Sequence, residues 1–310
     1  MPHINQTNLY LSFVALLAMV CSLPGCAAGR GEVRLAADQG FYETDFQGEH
    51  FFLKGWLKRG ASDSGSTLHV YIEGDGRAWR NRRVISDDPT PTAAIGLRLA
   101  KAHPGREPVL YLARPGQYLS SKQLREIDSR YWTHARFAEE VIADMNAAVE
   151  AAKRMTGAER ISLYGFSGGG GVAVLMAARR RDVVFLATVA GNLDHKFWTS
   201  LHKLTPLSLS LNPIDFAGAV RAIPQAHLAG GADNIVPASV AQRFCDAAAS
   251  DHVKLMVIPD MRHEGDWERI WKVAPGVGLD LPPSAERRDH RHTPTAPSLT
   301  LPYTVIHVLH

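Results

Sequence analysis

Short apolar runs alternate with stretches of helical spacing along most of this chain. Phe51 to Leu57, Leu68 to Ile72 and Val109 to Ala113 read as strands in the first half. Ser62 to Ser66 reads as a turn. Pro91 to His103 has helical character, with Ile95, Leu97 and Leu99 among alanines. Phe137, Val141, Met145, Ala148 and Ala152 fall on one face of a long helix over 137–155. The second half repeats the rhythm. Strands are predicted at Ile161–Tyr164, Val183–Val189, Gln225–Ala229 and Val253–Ile258. Helices are predicted over Val172–Ala178, near Phe216–Arg221, over Pro237–Ala249 and near Trp267–Trp271. Strands alternating with helices predict an α/β fold, with a mostly parallel sheet covered on both faces. Ligands in such folds sit at the carboxyl ends of the strands.

The pattern fails at both ends. From residue 275 prolines interrupt a polar segment rich in Arg and His, which predicts a disordered tail over 275–310. His290, His292, His307 and His310 lie there at irregular spacing, so a solvated tail is favoured over a metal site. At the other end, Leu9 to Val20 is apolar and is followed by Leu23-Pro24-Gly25-Cys26. A run of about 12 apolar residues is short for a membrane span and suits a signal peptide. A small residue before cysteine, with leucine three positions before it, resembles a bacterial lipobox. That resemblance implies cleavage before Cys26, lipidation of Cys26 and anchoring to a membrane. Ala27 in place of aspartate then implies sorting to the outer membrane. A non-lipidated secretory signal is the competing reading, because residues 1–20 hold no Lys or Arg. The expected organisation is a signal at 1–25, a tether at 26–48, an α/β domain at 49–274 and the tail.

The composition is that of a globular chain: 310 residues, 45% hydrophobic and 21% charged. A net charge of +3 is too slight to argue for nucleic acid. Cys21, Cys26 and Cys245 are the three cysteines. After cleavage and lipidation Cys245 would have no intramolecular partner.

The candidate chemistry lies between the strand at Ile161–Tyr164 and the helix that follows. Gly165-Phe166-Ser167-Gly168-Gly169 places a serine on a glycine-flanked turn, the layout of a nucleophile elbow. A serine at such a tip is exposed to a base and to substrate, and the next helix directs its amino end at the site. A small glycine-rich turn is the plain alternative. A phosphate loop is disfavoured, because no Lys-Ser or Lys-Thr pair follows the glycines.

A serine nucleophile calls for an acid and then a histidine, each in a loop after a strand. Asp233 follows the Gln225–Ala229 strand, and His263 follows the Val253–Ile258 strand. Asp194 is the second candidate acid and Asp260 the third; Asp194 also suits a helix start and Asp260 lies too close in sequence to His263. The oxyanion donors are expected to be the amide of Gly168 and that of Asp75 or Gly76, in the loop Glu73-Gly74-Asp75-Gly76. An ordinary Asp-Gly turn is the alternative there. Two carboxylates aimed at a developing oxyanion would oppose it, so Glu73 and Asp75 are expected to point away, toward Arg77, Arg80 or Arg114.

With these residues placed, the chain from about residue 50 to 272 resembles the α/β-hydrolase superfamily, and more closely bacterial, often lipoprotein, α/β hydrolases of poorly defined substrate. The matching stretches include Tyr71 to Gly76, Asp88 to Pro91, Tyr111 to Pro115, Tyr131-Trp132-Thr133, Arg136-Phe137, Gly165 to Gly170, Ala190 to His195 and Ser210 to Pro213. The resemblance implies nucleophile, acid and base roles for Ser167, Asp233 and His263. It implies a serine hydrolase acting on a small ester or acyl substrate, with no metal or organic cofactor. A serine peptidase and a non-catalytic envelope protein of the same fold are the alternatives. Relatives carry a cysteine where this chain has Gly116, and a second before the Tyr-Trp-Thr stretch; neither is present, so a bridge pinning that loop is missing. Arg77, Trp79, Arg114, Tyr118 and Trp132 are the candidate substrate contacts, with Arg80, Arg82, Arg83, His195 and Trp198 as further members of a rim. The plain alternative is arginines solvating a surface and tryptophans filling the core.

Overall fold

The computed structural model of the chain describes residues 25–61, 67–273 and 304–306. The signal segment, the turn at 62–66 and most of the tail lie outside the described residues. In chain order the helices are α1 (Gly25–Leu35), α2 (Ile95–Lys101), α3 (Ser121–Leu124), α4 (Glu139–Thr156), α5 (Gly168–Ala177), α6 (His195–Leu201), α7 (Ala217–Val220), α8 (Ala238–Ala248) and α9 (Trp267–Val273). The strands are β1 (Tyr42–Gln47), β2 (Phe52–Lys58), β3 (Thr67–Ile72), β4 (Trp79–Asn81), β5 (Val84–Ile85), β6 (Val109–Leu112), β7 (Arg160–Phe166), β8 (Val183–Val189), β9 (Gln225–Gly230), β10 (Val253–Ile258) and β11 (Thr304–Ile306).

Nine strands form one sheet in the order β1-β2-β6-β3-β7-β8-β9-β10-β11. The six from β6 to β10 pair in parallel, and β1, β2 and β11 are joined antiparallel at the edges. β4 and β5 make a separate hairpin. The sheet is buried on both faces, as parallel sheets require. Leu68, Val70 and Ile72 of β3 point to one core with Leu110, Leu112, Ile161 and Leu163. The buried faces of α4, α5, α7 and α8 cover that side. Tyr71, Tyr111 and Tyr164 point to the other core, under α1, α2 and α9. The period of two along each strand decides this division.

α4 shows how sequence sets an element's limits. Val141, Ile142, Met145, Ala148, Val149 and Ala152 are buried at helical spacing. Glu139 and Glu140 lie in the first turn and Lys153 and Arg154 in the last, matching the helix dipole. Gly157 ends it at φ 67°, where its N–H reaches the Lys153 carbonyl.

Two expectations need correction. Residues 26–48 are not a loose tether. Residues 25–35 are helical and 42–47 form an edge strand. Arg30 donates to Asp88 Oδ2 (3.0 Å) and to the Leu119 carbonyl (2.9 Å), and Glu32 accepts from Arg98. Val33, Ala36 and Phe41 are buried. The apolar positions are few and widely spaced among charges, and it is their tertiary partners that order them. The tail contributes residues 304–306 as a strand beside β10, so that part of it is ordered. Cys245 is a buried free thiol, its pKa pushed up to about 12 by burial.

Candidate active site

Ser167 stands between β7 and α5 at φ 51° and ψ −121°, a backbone region that non-glycine residues rarely occupy. The surrounding bonds hold it there. Its N–H donates to the Val189 carbonyl (2.9 Å), and its carbonyl accepts from Gly170 (3.0 Å) and Asn192 (2.9 Å). The glycines answer to space: a Cβ on Gly165 would collide with the Gly169 carbonyl, and one on Gly169 with the Ile72 carbonyl.

β9 and β10 are parallel neighbours, so their loops emerge side by side. The Ala232 N–H donates to the Met261 carbonyl (3.0 Å) and the Gly231 N–H to Ile258 (2.7 Å). That seam brings Asp233 to His263. Asp233 Oδ2 lies 2.7 Å from His263 Nδ1, and Oδ1 accepts from the amides of Ile235 (2.8 Å) and Val236 (2.9 Å). A carboxylate only accepts, so His263 carries its proton on Nδ1 and presents a lone pair at Nε2. Nε2 lies 3.0 Å from Ser167 Oγ. The His263 backbone is held by Trp267, whose Nε1 donates to its carbonyl (2.8 Å). The rival acids are elsewhere. Asp194 caps α6 and accepts from Phe197, Asn212 and Arg243, and Asp260 is exposed.

The loop after β3 closes the other side. A Cβ on Gly74 would lie 3.3 Å from Ser167 Cβ, and one on Gly168 would meet the Asp75 carboxylate. The amide N–H groups of Gly168, Asp75 and Gly76 have no acceptor among the described residues. Neither acidic side chain is unpaired. Burial pushes the Asp75 carboxyl up, but Arg136 (2.5 Å) and Arg114 (3.3 Å) outweigh it and hold it below the ordinary value. Glu73 turns beneath the loop. It accepts from Gly74 (2.8 Å), from Gly96 at the amino end of α2 (3.1 Å) and from the Tyr111 hydroxyl (2.9 Å). Burial dominates there and raises its pKa to about 7. Of the expected partners only Arg114 serves; Arg80 pairs with Asp87.

A cleft of about 440 Å³ opens over Ser167 and His263. Arg77 and Trp79 line one wall, and Trp198, Ile235 and Val236 the other. Four other rim candidates are placed inside the protein instead. Arg114 is buried, its pKa lowered to about 10 chiefly by that burial. Tyr118 is buried with its hydroxyl on Tyr111 (3.0 Å), Trp132 donates from Nε1 to the Ser86 carbonyl (3.1 Å), and His195 lies under the Leu211 carbonyl. An arginine or aromatic ring in sequence looks the same whether it solvates a rim or ties a loop. Gly116 sits at φ 85°, where an added Cβ would come within 2.9 Å of Pro89 and Trp132. Sequence reasoning missed Arg136, which lines the cleft and neutralises Asp75; its only signal was the Arg136-Phe137 stretch.

The chain matches no protein-family model and no curated protein. Solved structures do match it. The esterase Pf2001 of Pyrococcus furiosus aligns with a TM-score of 0.53 at 15% identity, over 77% of this chain and 86% of its own. Est1E of Butyrivibrio proteoclasticus aligns with a TM-score of 0.53 at 15% identity, over 74% and 96%. An acylaminoacyl peptidase of Pyrococcus horikoshii aligns with a TM-score of 0.56 at 15% identity, over 76% of this chain but 39% of that longer one. The strand order, the placement of the three loops and these likenesses lead to one conclusion: the chain has the α/β-hydrolase fold.

Proposed function

We propose that this protein is a serine hydrolase, a carboxylesterase that works through an acyl-enzyme on Ser167. One observation carries the reading: a serine strained at φ 51° shares a hydrogen-bond chain with His263 and Asp233, at the floor of an open cleft. His263 Nε2 takes the Ser167 proton as Oγ attacks the carbonyl carbon. Asp233 holds the ring and stabilises its cation. The oxyanion is received by the amides of Gly168 and Asp75, with Gly76 as the alternative to Asp75. His263 returns the proton to the leaving oxygen, and the same base activates a water that frees the acid. The paired Asp75 supports the scheme, because Arg136 and Arg114 offset a carboxylate lying against Gly168.

The cleft walls support a small acyl substrate with an anionic or aromatic part. Arg77 has no ion pair among the described residues, and Trp79 is exposed beside it. The preference for esters over amides follows from chemistry, since an alkoxide leaves with less help than an amine. The similarity to an acylaminoacyl peptidase makes amide cleavage the competing activity. Cys26 is the proposed lipid attachment. It lies on α1, which is docked on the domain, so the anchor would hold the domain close to the bilayer.

The test uses short-chain nitrophenyl esters and acyl-peptide anilides side by side. Ester turnover with an initial burst is expected, and Ser167→Ala should lose about 10³-fold or more in kcat. Anilide turnover exceeding ester turnover would replace the esterase reading with the peptidase one.

A further inference from the structure

At the far end of β3 from the cleft, His69 and His103 meet under the loop that leads to Glu107. His69 is buried, and the side chain of His103 is 6% exposed. Their rings are tilted, with centroids 4.2 Å apart. Each imidazole is oriented by a tyrosine through the same atom. His69 Nδ1 lies 2.8 Å from the Tyr164 hydroxyl, and His103 Nδ1 lies 2.9 Å from the Tyr71 hydroxyl. This leaves both Nε2 atoms for another partner. His103 Nε2 has none: it is buried and without a hydrogen bond among the described residues. Glu107 Oε2 lies 3.7 Å from it, too far for a hydrogen bond. Leaving a buried polar atom unpaired is costly, and native folds rarely do so without reason.

We propose that His69, His103 and Glu107 form a divalent metal site, suited to Zn²⁺, that staples the base of the sheet. One ligand atom from each residue lies within 4.8 Å of the other two. Two imidazoles and a carboxylate are a ligand set that zinc favours. The tyrosines supply the outer contacts that fix ring orientation in such sites. Tyr71 accepts from Trp271 Nε1 (3.1 Å) and shares a hydrogen bond with His103 Nδ1; in the tautomer that carries its proton on Nδ1, His103 has Nε2 free to ligate. Gly105 leaves the necessary room. A Cβ there would overlap Glu107 Oε2 and come within 2.9 Å of His103 Nε2. The loop over 103–107 reaches the surface, which provides an entry path. Four residues of extended chain, about 13 Å, separate His69 from Glu73 beside the cleft, so the site acts on stability rather than on the reaction.

The test uses the full chain with His50→Ala, His252→Ala, His263→Ala, His290→Ala, His292→Ala, His307→Ala and His310→Ala, which removes the exposed, cleft and tail histidines as competing ligands. After chelation and dialysis, one equivalent of Zn²⁺ should bind, and the thermal midpoint should rise as Zn²⁺ is added. Glu107→Gln and His103→Gln should each weaken binding at least about tenfold, with an unchanged circular dichroism spectrum. X-ray absorption of the loaded background chain should show two imidazole nitrogens and an oxygen ligand, a readout that stands even where a variant fails to fold. No bound Zn²⁺, equal affinity in both folded variants, or a different ligand shell would overturn the proposal.

Discussion

Replacing Glu73 by glutamine should change how stability depends on pH, by an amount the structure sets. Glu73 is 1% exposed, and burial raises its pKa from 4.5 to about 7 against four opposing hydrogen bonds. The folded protein therefore keeps a proton on Glu73 that the unfolded chain has released between pH 4.5 and about 7. The unfolded state binds fewer protons in that window, so this group makes stability fall as pH rises through it. Each factor of ten between the two acid constants is worth about 1.4 kcal/mol, which makes the cost about 3 kcal/mol once the pH exceeds both values. Glu73→Gln cannot ionise. With its oxygen in place of Oε2 it accepts from both the Gly96 amide and the Tyr111 hydroxyl, and its NH2 replaces the acceptor of the Gly74 amide. The assay is urea unfolding of both proteins from about pH 4.5 to about pH 8. The variant should gain about 3 kcal/mol on the wild type across that range, whatever the offset at the acid end. Comparing the two proteins removes every other titrating group. Parallel stability curves would refute the claim that Glu73 is buried and reluctantly ionised beneath the loop after β3.

Further outcomes follow from individual contacts. Asp233→Asn should lower kcat by about 10³ to 10⁴ without loss of stability large enough to unfold the chain, because the His263 tautomer is no longer enforced; nitrophenyl ester kinetics check it. Arg136→Met weakens the neutralisation of Asp75 beside Gly168 and should reduce kcat about tenfold, with recovery in the double variant Asp75→Asn, Arg136→Met; a double variant slower than Arg136→Met alone would contradict the electrostatic reading. Trp79→Ala should raise KM several-fold for aromatic esters and leave the thermal midpoint unchanged, since Trp79 is 40% exposed on the cleft wall. Arg30→Ala removes two contacts that dock α1, so limited proteolysis should cut within 25–41 while the rest of the domain resists.

Much of this could be read before any coordinates. The parallel core was legible because β7, β8 and β10 are short, mostly apolar runs, and Val183–Val189 and Val253–Ile258 match their predicted limits. Asp233 and His263 could be proposed together because each comes just after a predicted strand, Gln225–Ala229 and Val253–Ile258, in the order a serine site requires. What escaped is governed by tertiary partners. β1 buries little besides Phe46, so its sequence Tyr-Glu-Thr-Asp-Phe-Gln gives no strand period. α1 is ordered by Asp88, Leu119 and Arg98, residues 58 to 89 positions away. The functions of Arg114, Tyr118 and Trp132 as loop ties depend on Asp75, Tyr111 and Ser86, and no local pattern links these pairs. Ser167 shows the reverse. Its local motif predicted a tight turn between strand and helix, and the structure has one there, with Ser167 at φ 51°.

Ser167 is proposed as a nucleophile activated by His263 and Asp233. Fluorophosphonate labelling of the purified protein, followed by mass spectrometry of the peptides, tests that most directly. A single phosphonyl adduct on Ser167 is expected, absent in Ser167→Ala and slowed strongly in folded His263→Ala. An unlabelled wild-type protein, or an adduct that persists at another residue in Ser167→Ala, would contradict it.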